Sequence, residues 1–510
     1  MSKFMINRRQ FLRHIVYGGV YLASHQFLSA CNSLSTEQPP TEFQGDPDVE
    51  IRLIAKPGVQ QIFPGTPTDI WRFQGEVLKG PPKSLISLPD SYLGPIFQVE
   101  TGTNLRVHFV NELPERSIVH WHGLHVPDDA DGHPRLAVEG GETYVYNFRV
   151  MDRAGTYWYH PHPHGRTGPQ VYRGLAGLFL IHDDQEAALS LPANDKDLPI
   201  VIQDRLFNGD NQLVYSPSGM MSQMVGMLGD QILVNGLPEY KIEVDRSAYR
   251  LRLMNGSNAR IYKLAWDDGK SLKVIGTEGG LLERPLERNY VTLAPAQRID
   301  LWEDFGEREP GTVIRMVNLP SGAPGGGQEF PIFSATIRNT EREVLSLPEA
   351  FPPHKELDAA QAVNVNEPRD FILHMGMGMQ WMINGRVFDM TDVARDEKVR
   401  LGDIEVWEFI NQRGAGMGMG GMAQPHPMHV HGLQFKILER QVDSRNDEPY
   451  QSLKNGFVDE GWHDTVLVMP GERVRILMQF KNFTGLYLYH CHNLEHEDMG
   501  MMRNYQVIAR

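Results

Sequence analysis

The chain has 510 residues, of which 41% are hydrophobic and 22% charged, enough apolar material for roughly three domains of about 150 residues each. A formal net charge of −15 argues against nucleic acid as a partner and suits metal cations, cationic organic molecules or simple solubility. Only Cys31 and Cys491 are cysteines, so no disulfide framework is available.

The first 30 residues carry Lys3, Arg8, Arg9 and Arg13 and no acid. Arg8-Arg9-Gln10-Phe11-Leu12-Arg13, a weakly apolar run from Ile15 to Leu28, and Leu28-Ser29-Ala30-Cys31 together resemble a twin-arginine export signal ending in a lipoprotein processing box. The run is too short, and too interrupted by His25 and Gln26, to span a bilayer. Residues 1–31 are therefore expected to be a signal that sends the protein to the periplasm or cell envelope. Cys31 is its expected lipid-anchor point, which leaves Cys491 as the only thiol of the mature chain.

Beyond residue 45 the chain reads as short alternating strands broken by Gly, Pro, Asn and Asp, such as Leu105-Arg106-Val107-His108-Phe109 and Val474 to Phe480. That pattern predicts an all-β sandwich or barrel. An internal repeat sharpens it. Val99-x-x-Gly102 and Phe109-Val110-Asn111 return as Val399-x-x-Gly402 and Phe409-Ile410-Asn411. His120-x-His122-Gly123-Leu124 returns as His429-x-His431-Gly432-Leu433, and Gly155-x-Tyr157-x-Tyr159-His160-x-His162 as Gly485-x-Tyr487-x-Tyr489-His490-x-His492. The outer thirds are thus copies of one β-domain.

Ile242-Glu243-Val244 leading to Leu251-Arg252-Leu253-Met254-Asn255 hints at a middle copy, expected to be metal-free because no histidine lies between His182 and His354. The expected domains are 47–184, 199–344 and 370–510. Their linkers are Gln185 to Leu198 and Leu345 to Arg369. With two His-x-His pairs in each outer copy, those copies are expected to meet and pool eight imidazoles that neither could assemble alone.

His490-Cys491-His492, followed by His496 and Met501, names the metal. A thiolate, two imidazoles and a long thioether bond make the ligand set of a blue-copper centre, and Cys491, His496, Met501 and an upstream histidine can supply it. Successive side chains on a strand point to opposite faces. If Cys491 holds one copper, His490 and His492 face away from it and serve a second site.

These residues, with the segment His426-Pro427-Met428-His429-Val430-His431-Gly432, resemble the three-domain multicopper oxidases, the group of laccases, bacterial copper-efflux oxidases and spore-coat oxidases. The resemblance covers about residues 47 to 510 and implies three consecutive cupredoxin-like Greek-key β-sandwich domains binding four copper ions. By that resemblance His426, Cys491 and His496, with Met501 axial, hold a type 1 copper, and His120 and His429 a type 2 copper. His122, His160 and His490 hold one type 3 copper, and His162, His431 and His492 the other.

The implied activity takes single electrons from a phenolic or aromatic reductant at type 1 copper and reduces dioxygen to water at the three-copper cluster. That reduction consumes protons, for which a nearby carboxylate is required. Glu497 and Asp131 match the family's proton-delivering residues, their plainer roles being an ion pair and a turn.

Of the remaining histidines, His125 and His164 are expected to be structural or to support ligands, and His108, His133, His182, His354, His374 and His463 to be surface or satisfied core residues. Methionines cluster at Met375, Met377 and Met379, at Met417, Met419 and Met422, and at Met220, Met221, Met224 and Met227. Thioethers are soft Cu(I) ligands, so a cuprous oxidase for copper detoxification is the alternative activity; flexible core packing is the plainer account. The long methionine-rich insert of copper-efflux oxidases is missing. A blue-copper electron carrier would leave eight imidazoles unexplained, and copper-free structural relatives lose ligands that are all present here.

Overall fold

The computed structural model describes residue 43 and residues 45–217, 219–354, 356–376, 380–412, 423–443 and 448–510. The proposed signal with Cys31, and Met377, Met379, Met417, Met419 and Met422, lie outside the described residues.

Six β-sheets form three pairs among the described residues. In the first pair, strands Thr68–Lys79, Val49–Gln60, Asn104–Asn111 and Thr143–Arg149 make one sheet, and Leu85–Ile86, Ile96–Glu100, Gly177–His182, Gly155–Pro161 and Val119–His122 the other. The last third repeats the plan. Trp381–Ile383, Arg369–Met375, Ile404–Asn411, Glu472–Gln479 and Phe435–Val442 face Lys398–Arg400, Met502–Ile508, Gly485–Cys491, His426–Val430 and Thr465–Val468. Between them, a seven-stranded sheet built around Asp197–Arg205 and Ala248–Asn255 packs on a five-stranded one.

The register shows the repeat directly. A parallel strand pair recurs with Leu53 opposite Phe109, Ile200 opposite Leu253 and Phe371 opposite Phe409. Each pair ends on a buried asparagine whose amide donates to two backbone carbonyls: Asn111 to Glu115 and Val138, Asn255 to Arg260 and Leu293, Asn411 to Gln424 and Val468. Buried carbonyls left unpaired are costly, so the amide holds the turn leaving each strand. The middle third is therefore a third copy of the same fold.

Alternation places the cores. Leu105, Val107 and Phe109 point inward to one apolar cluster while His108 lies outside it. Val474, Ile476 and Met478 do the same in the last third. Leu477, on the opposite face, is also buried, because Leu357 and Ala362 of the expected second linker cover it. Leu345, Leu347 and Phe351 pack with Leu189 and Leu191 of the first linker against Ile275 and Trp302. Both connecting segments are thus packed onto the sheets; buried Phe351 contributes about 1.5–3 kcal/mol, and the partly buried leucines less.

Candidate metal centres

Strand Gly485–Cys491 lies between Met502–Ile508 and His426–Val430, with Met428 opposite Cys491 and His429 opposite His490. The pleat turns Cys491 into the apolar core of the last sandwich, with Met428, Val430 and Met501, and turns His490 the other way. Cys491 Sγ is 3.4 Å from His426 Nδ1 and 3.7 Å from His496 Nδ1, and those two nitrogens are 3.3 Å apart. Met501 is fully buried beside them, its carbonyl accepting from the Cys491 N–H and its own N–H donating to the His496 carbonyl. Burial pushes the Cys491 thiol up. A cation held by the three donors reverses that penalty, because a coordinating thiol is deprotonated outright. The donor set fits copper.

His496 sits on the short helix Leu494–Asp498, capped by the Asn493 side chain. Three consecutive carbonyls at the end of helix Met220–Val225 close over it: Gln223 accepts from Trp381 Nε1, Met224 from His496 Nε2 and Val225 from Asn493 Nδ2. A helix C-terminus leaves such carbonyls without partners of its own. The Trp381 ring packs against both imidazoles, 4.1 Å from His496 and 5.0 Å from His426. Outside this helix lies a cavity of about 640 Å³, lined among others by Met221, Val225, Pro324, Gln424 and Pro425. Met221 is exposed, whereas Met224 and Met227 are buried.

The second site lies between the first and last sandwiches. His120, His122, His160, His162, His429, His431, His490 and His492 are all buried. His120 Nε2 is 3.3 Å from His429 Nε2. His490 Nε2 is 3.3 Å from His162 Nε2 and 3.0 Å from His431 Nε2. The His492 ring lies 5.0 Å from His122 and 5.2 Å from His160. By distance, the His490 ring lies with those of His162 and His431, and the His492 ring with those of His122 and His160, whereas the resemblance places His490 with His122 and His160 and His492 with His162 and His431. Residues two apart on a strand stand about 6.6 Å apart on the same face, so 490 and 492 reach different neighbours.

Burial, with repulsion from neighbouring imidazoles, lowers His120, His122, His429, His431 and His492 well below the ordinary histidine range. Burial likewise brings His160 to about 4, and His162 and His496 to about 3. At neutral pH these rings are uncharged, the form that binds metal. His122 Nδ1, His160 Nε2, His162 Nδ1 and both His492 nitrogens are buried without a hydrogen-bond partner. Buried polar atoms are normally paired, so a cluster of free imidazole nitrogens fits a set of metal ions.

Oxygen atoms orient the rings from behind. The Asp131 carbonyl accepts from His120 Nδ1 at 2.6 Å while its carboxylate Oδ2 takes His431 Nδ1 at 2.8 Å, so one residue orients two of the candidate rings. Glu497 is buried with Oε2 3.2 Å from His490 Nδ1 and Oε1 3.6 Å from His162 Nε2. Burial alone would raise its carboxyl, but the two imidazoles outweigh burial and hold it at about 2.

His125 bridges the outer sandwiches by donating from Nδ1 to the Gly432 carbonyl. His463 is a satisfied core histidine held by Glu278. Asp464, Arg298 and Trp381 went unnoticed in the sequence although they touch the candidate ligands. The one local signal is the acid of His463-Asp464-Thr465 opening the otherwise apolar strand Thr465–Val468.

Two segments, residues 72–186 and 355–509, match family signatures described as multicopper oxidase. The chain is 33% identical over 432 residues to the multicopper oxidase mco of Staphylococcus aureus, covering 85% of this chain and 86% of that one. It is 30% identical to a Bacillus subtilis laccase, covering 83% and 90%. The McoA multicopper oxidase of Aquifex aeolicus superposes with a TM-score of 0.76 at 36% identity over 91% of this chain and 96% of that one. With both donor sets assembled on a cupredoxin-like scaffold, the chain belongs to the multicopper oxidases, enzymes that carry four copper ions and couple the oxidation of reductants to the reduction of dioxygen.

Proposed function

We propose that this enzyme is laccase-like, taking electrons from phenols or aromatic amines through His426, Cys491, His496 and Met501. His120 and His429, His122, His160 and His492, and His162, His431 and His490 form the oxygen-reducing site. The supporting observation is the unbroken segment His490-Cys491-His492, which places a thiol of one donor set between two imidazoles of the other. Bound copper supplies one-electron oxidation at the cysteine site and multi-electron dioxygen reduction at the imidazole site. Cys491 and its flanking peptide bonds give electrons a covalent route of a few bonds to both flanking histidines. Glu497, against His490 and His162, and Asp131, against His431, stand where a carboxylate can relay the protons that the reduction consumes.

The choice of reductant rests on how the type 1 side is closed. The outer nitrogen of His496 is covered by the Met224 carbonyl, and the cavity beyond is walled by Val225, Pro324 and Pro425, a lining that suits a flat organic donor. Exposed Met221 on the covering helix favours the second reading, a cuprous oxidase. Steady-state oxidation of Cu(I) and of dimethoxyphenol, each repeated with Met221 and the 375 and 417 methionines changed to leucine, separates the two. Loss of cuprous turnover alone establishes metal detoxification, and unchanged rates remove it.

The proposed domains keep the limits 47–184, 199–344 and 370–510. The Arg8-Arg9 signal and Cys31 support an exported, lipid-anchored enzyme of the periplasm or cell envelope.

A further inference from the structure

Asp464 joins all three thirds of the chain. Its Oδ1 lies 2.9 Å from His122 Nε2 in the first sandwich. Arg298, from the middle sandwich, donates Nη1 to Oδ1 at 2.9 Å and Nη2 to Oδ2 at 2.6 Å. The backbone carbonyl of Asp464 accepts from His429 Nδ1 at 2.7 Å. Arg298 is itself fixed by donating to the carbonyls of Thr156 and Ala296, and the pair is fully buried. Gly123 leaves room for it: at φ +89°, an added Cβ would fall 2.3 Å from Asp464 Oδ2 and 2.9 Å from Arg298 Nη2.

The ring that Asp464 holds is reversed relative to five of the other seven. His120, His160, His429, His431 and His490 each engage Nδ1 with an oxygen. His122 instead engages Nε2, and its buried Nδ1 has no partner. A carboxylate on one imidazole nitrogen fixes the tautomer and leaves the other as the donor.

We propose that Asp464, pinned by Arg298, is a positioning residue that presents His122 to the oxygen-reducing site through Nδ1. The metal-free middle sandwich thereby sets the geometry of a ligand it does not contribute. This rests on the proposed ligand set, which includes His122.

Two measurements test it. In a crystal structure of the copper-loaded native enzyme, copper is expected on His122 Nδ1, with Nε2 kept on Asp464. Copper on Nε2, or Asp464 turned away, overturns the positioning role while leaving the ligand set standing; His122 without copper overturns both. In the double variant Arg298→Met with Asp464→Leu, the buried pair is replaced by apolar groups, an exchange that proteins often tolerate. The blue absorption of the cysteine site is expected to persist. Copper affinity at the histidine site should fall about 10- to 100-fold, the usual cost of losing an outer partner, with loss of the near-ultraviolet band of the coupled copper pair. Full copper content with an unchanged near-ultraviolet band overturns the proposal, and if the variant does not fold, the native structure decides.

Discussion

His120 and His429 bring their Nε2 atoms to 3.3 Å although 309 residues separate them in the chain. One ring comes from the first sandwich and the other from the last, and a backbone carbonyl fixes each from behind, Asp131 for His120 and Asp464 for His429. Neither sandwich alone builds the pair. Changing His429 to alanine is therefore expected to remove the copper shared with His120 while sparing the blue absorption of the cysteine site. Oxygen consumption should fall by at least the about 10- to 100-fold that outer partners alone command. Copper quantitation and oxygen uptake check this, and a variant with full copper and full turnover would refute the pairing.

Glu497 offers a different handle, because it touches His490 and His162 without being a proposed ligand. Replacement by glutamine keeps the shape and removes the carboxylate that can take up and release a proton. Re-oxidation by dioxygen should slow by about 10²- to 10⁴-fold, the usual contribution of a positioned acid or base, while reduction of the blue site by a phenol keeps its rate. Stopped-flow traces of the two half-reactions separate them. Equal slowing of both would reduce Glu497 to an ion-pairing role.

These two residues also mark how far sequence carries. His490-Cys491-His492 was legible because a thiolate between two imidazoles on one strand can serve two metal sites only by alternation. The threefold repeat was legible because each copy ends a core strand on the same asparagine, 111, 255 and 411. The partners of His490 and His492 were not, since cross-strand register and the docking of two sandwiches decide which rings meet. Asp464 and Arg298 stayed hidden for another reason: acids and arginines are common, and only burial at the junction of three sandwiches sets this pair apart. The linkers looked loose by composition, yet scattered apolar residues such as Leu189, Leu347 and Phe351 pack them down.

Protonation of the copper-free protein follows from the same burial. His160 is lowered by burial to about 4 in the fold, and His162 and His496 to about 3. An unfolded histidine titrates near 6.5, so between about pH 6.5 and those values the unfolded chain binds more protons. Stability must fall as pH falls across that window, by about 1.4 kcal/mol per pH unit for each histidine that remains neutral in the fold. Bound metal occupies the same nitrogens only when they are deprotonated, which widens the penalty for the loaded protein. Denaturant melts at several pH values should thus show copper's stabilisation shrinking as the solution is acidified. Stabilisation by copper that is independent of pH would contradict ligation by these imidazoles.

The last prediction concerns the joint between the first linker and the middle sandwich. Glu186 is buried against Arg250, which also holds Asp300 at 2.5 Å, while Arg252 pairs with Asp197 at 2.7 Å. Burial would raise the Glu186 carboxyl, but Arg250, with help from His182 and Arg252, drives it far below its ordinary range. A depressed carboxyl stabilises the fold above its unfolded value near 4.3 and loses that contribution as pH falls toward the folded value. Glu186→Gln leaves Arg250 with one carboxylate instead of two, and breaking a buried pair costs about 3–5 kcal/mol. The variant should unfold at lower denaturant concentration at pH 7 with its copper content intact, and the gap to the native protein should narrow below about pH 4. A gap that stays constant into acid would mean that glutamine merely packs worse, and that the charge of Glu186 does not hold the joint.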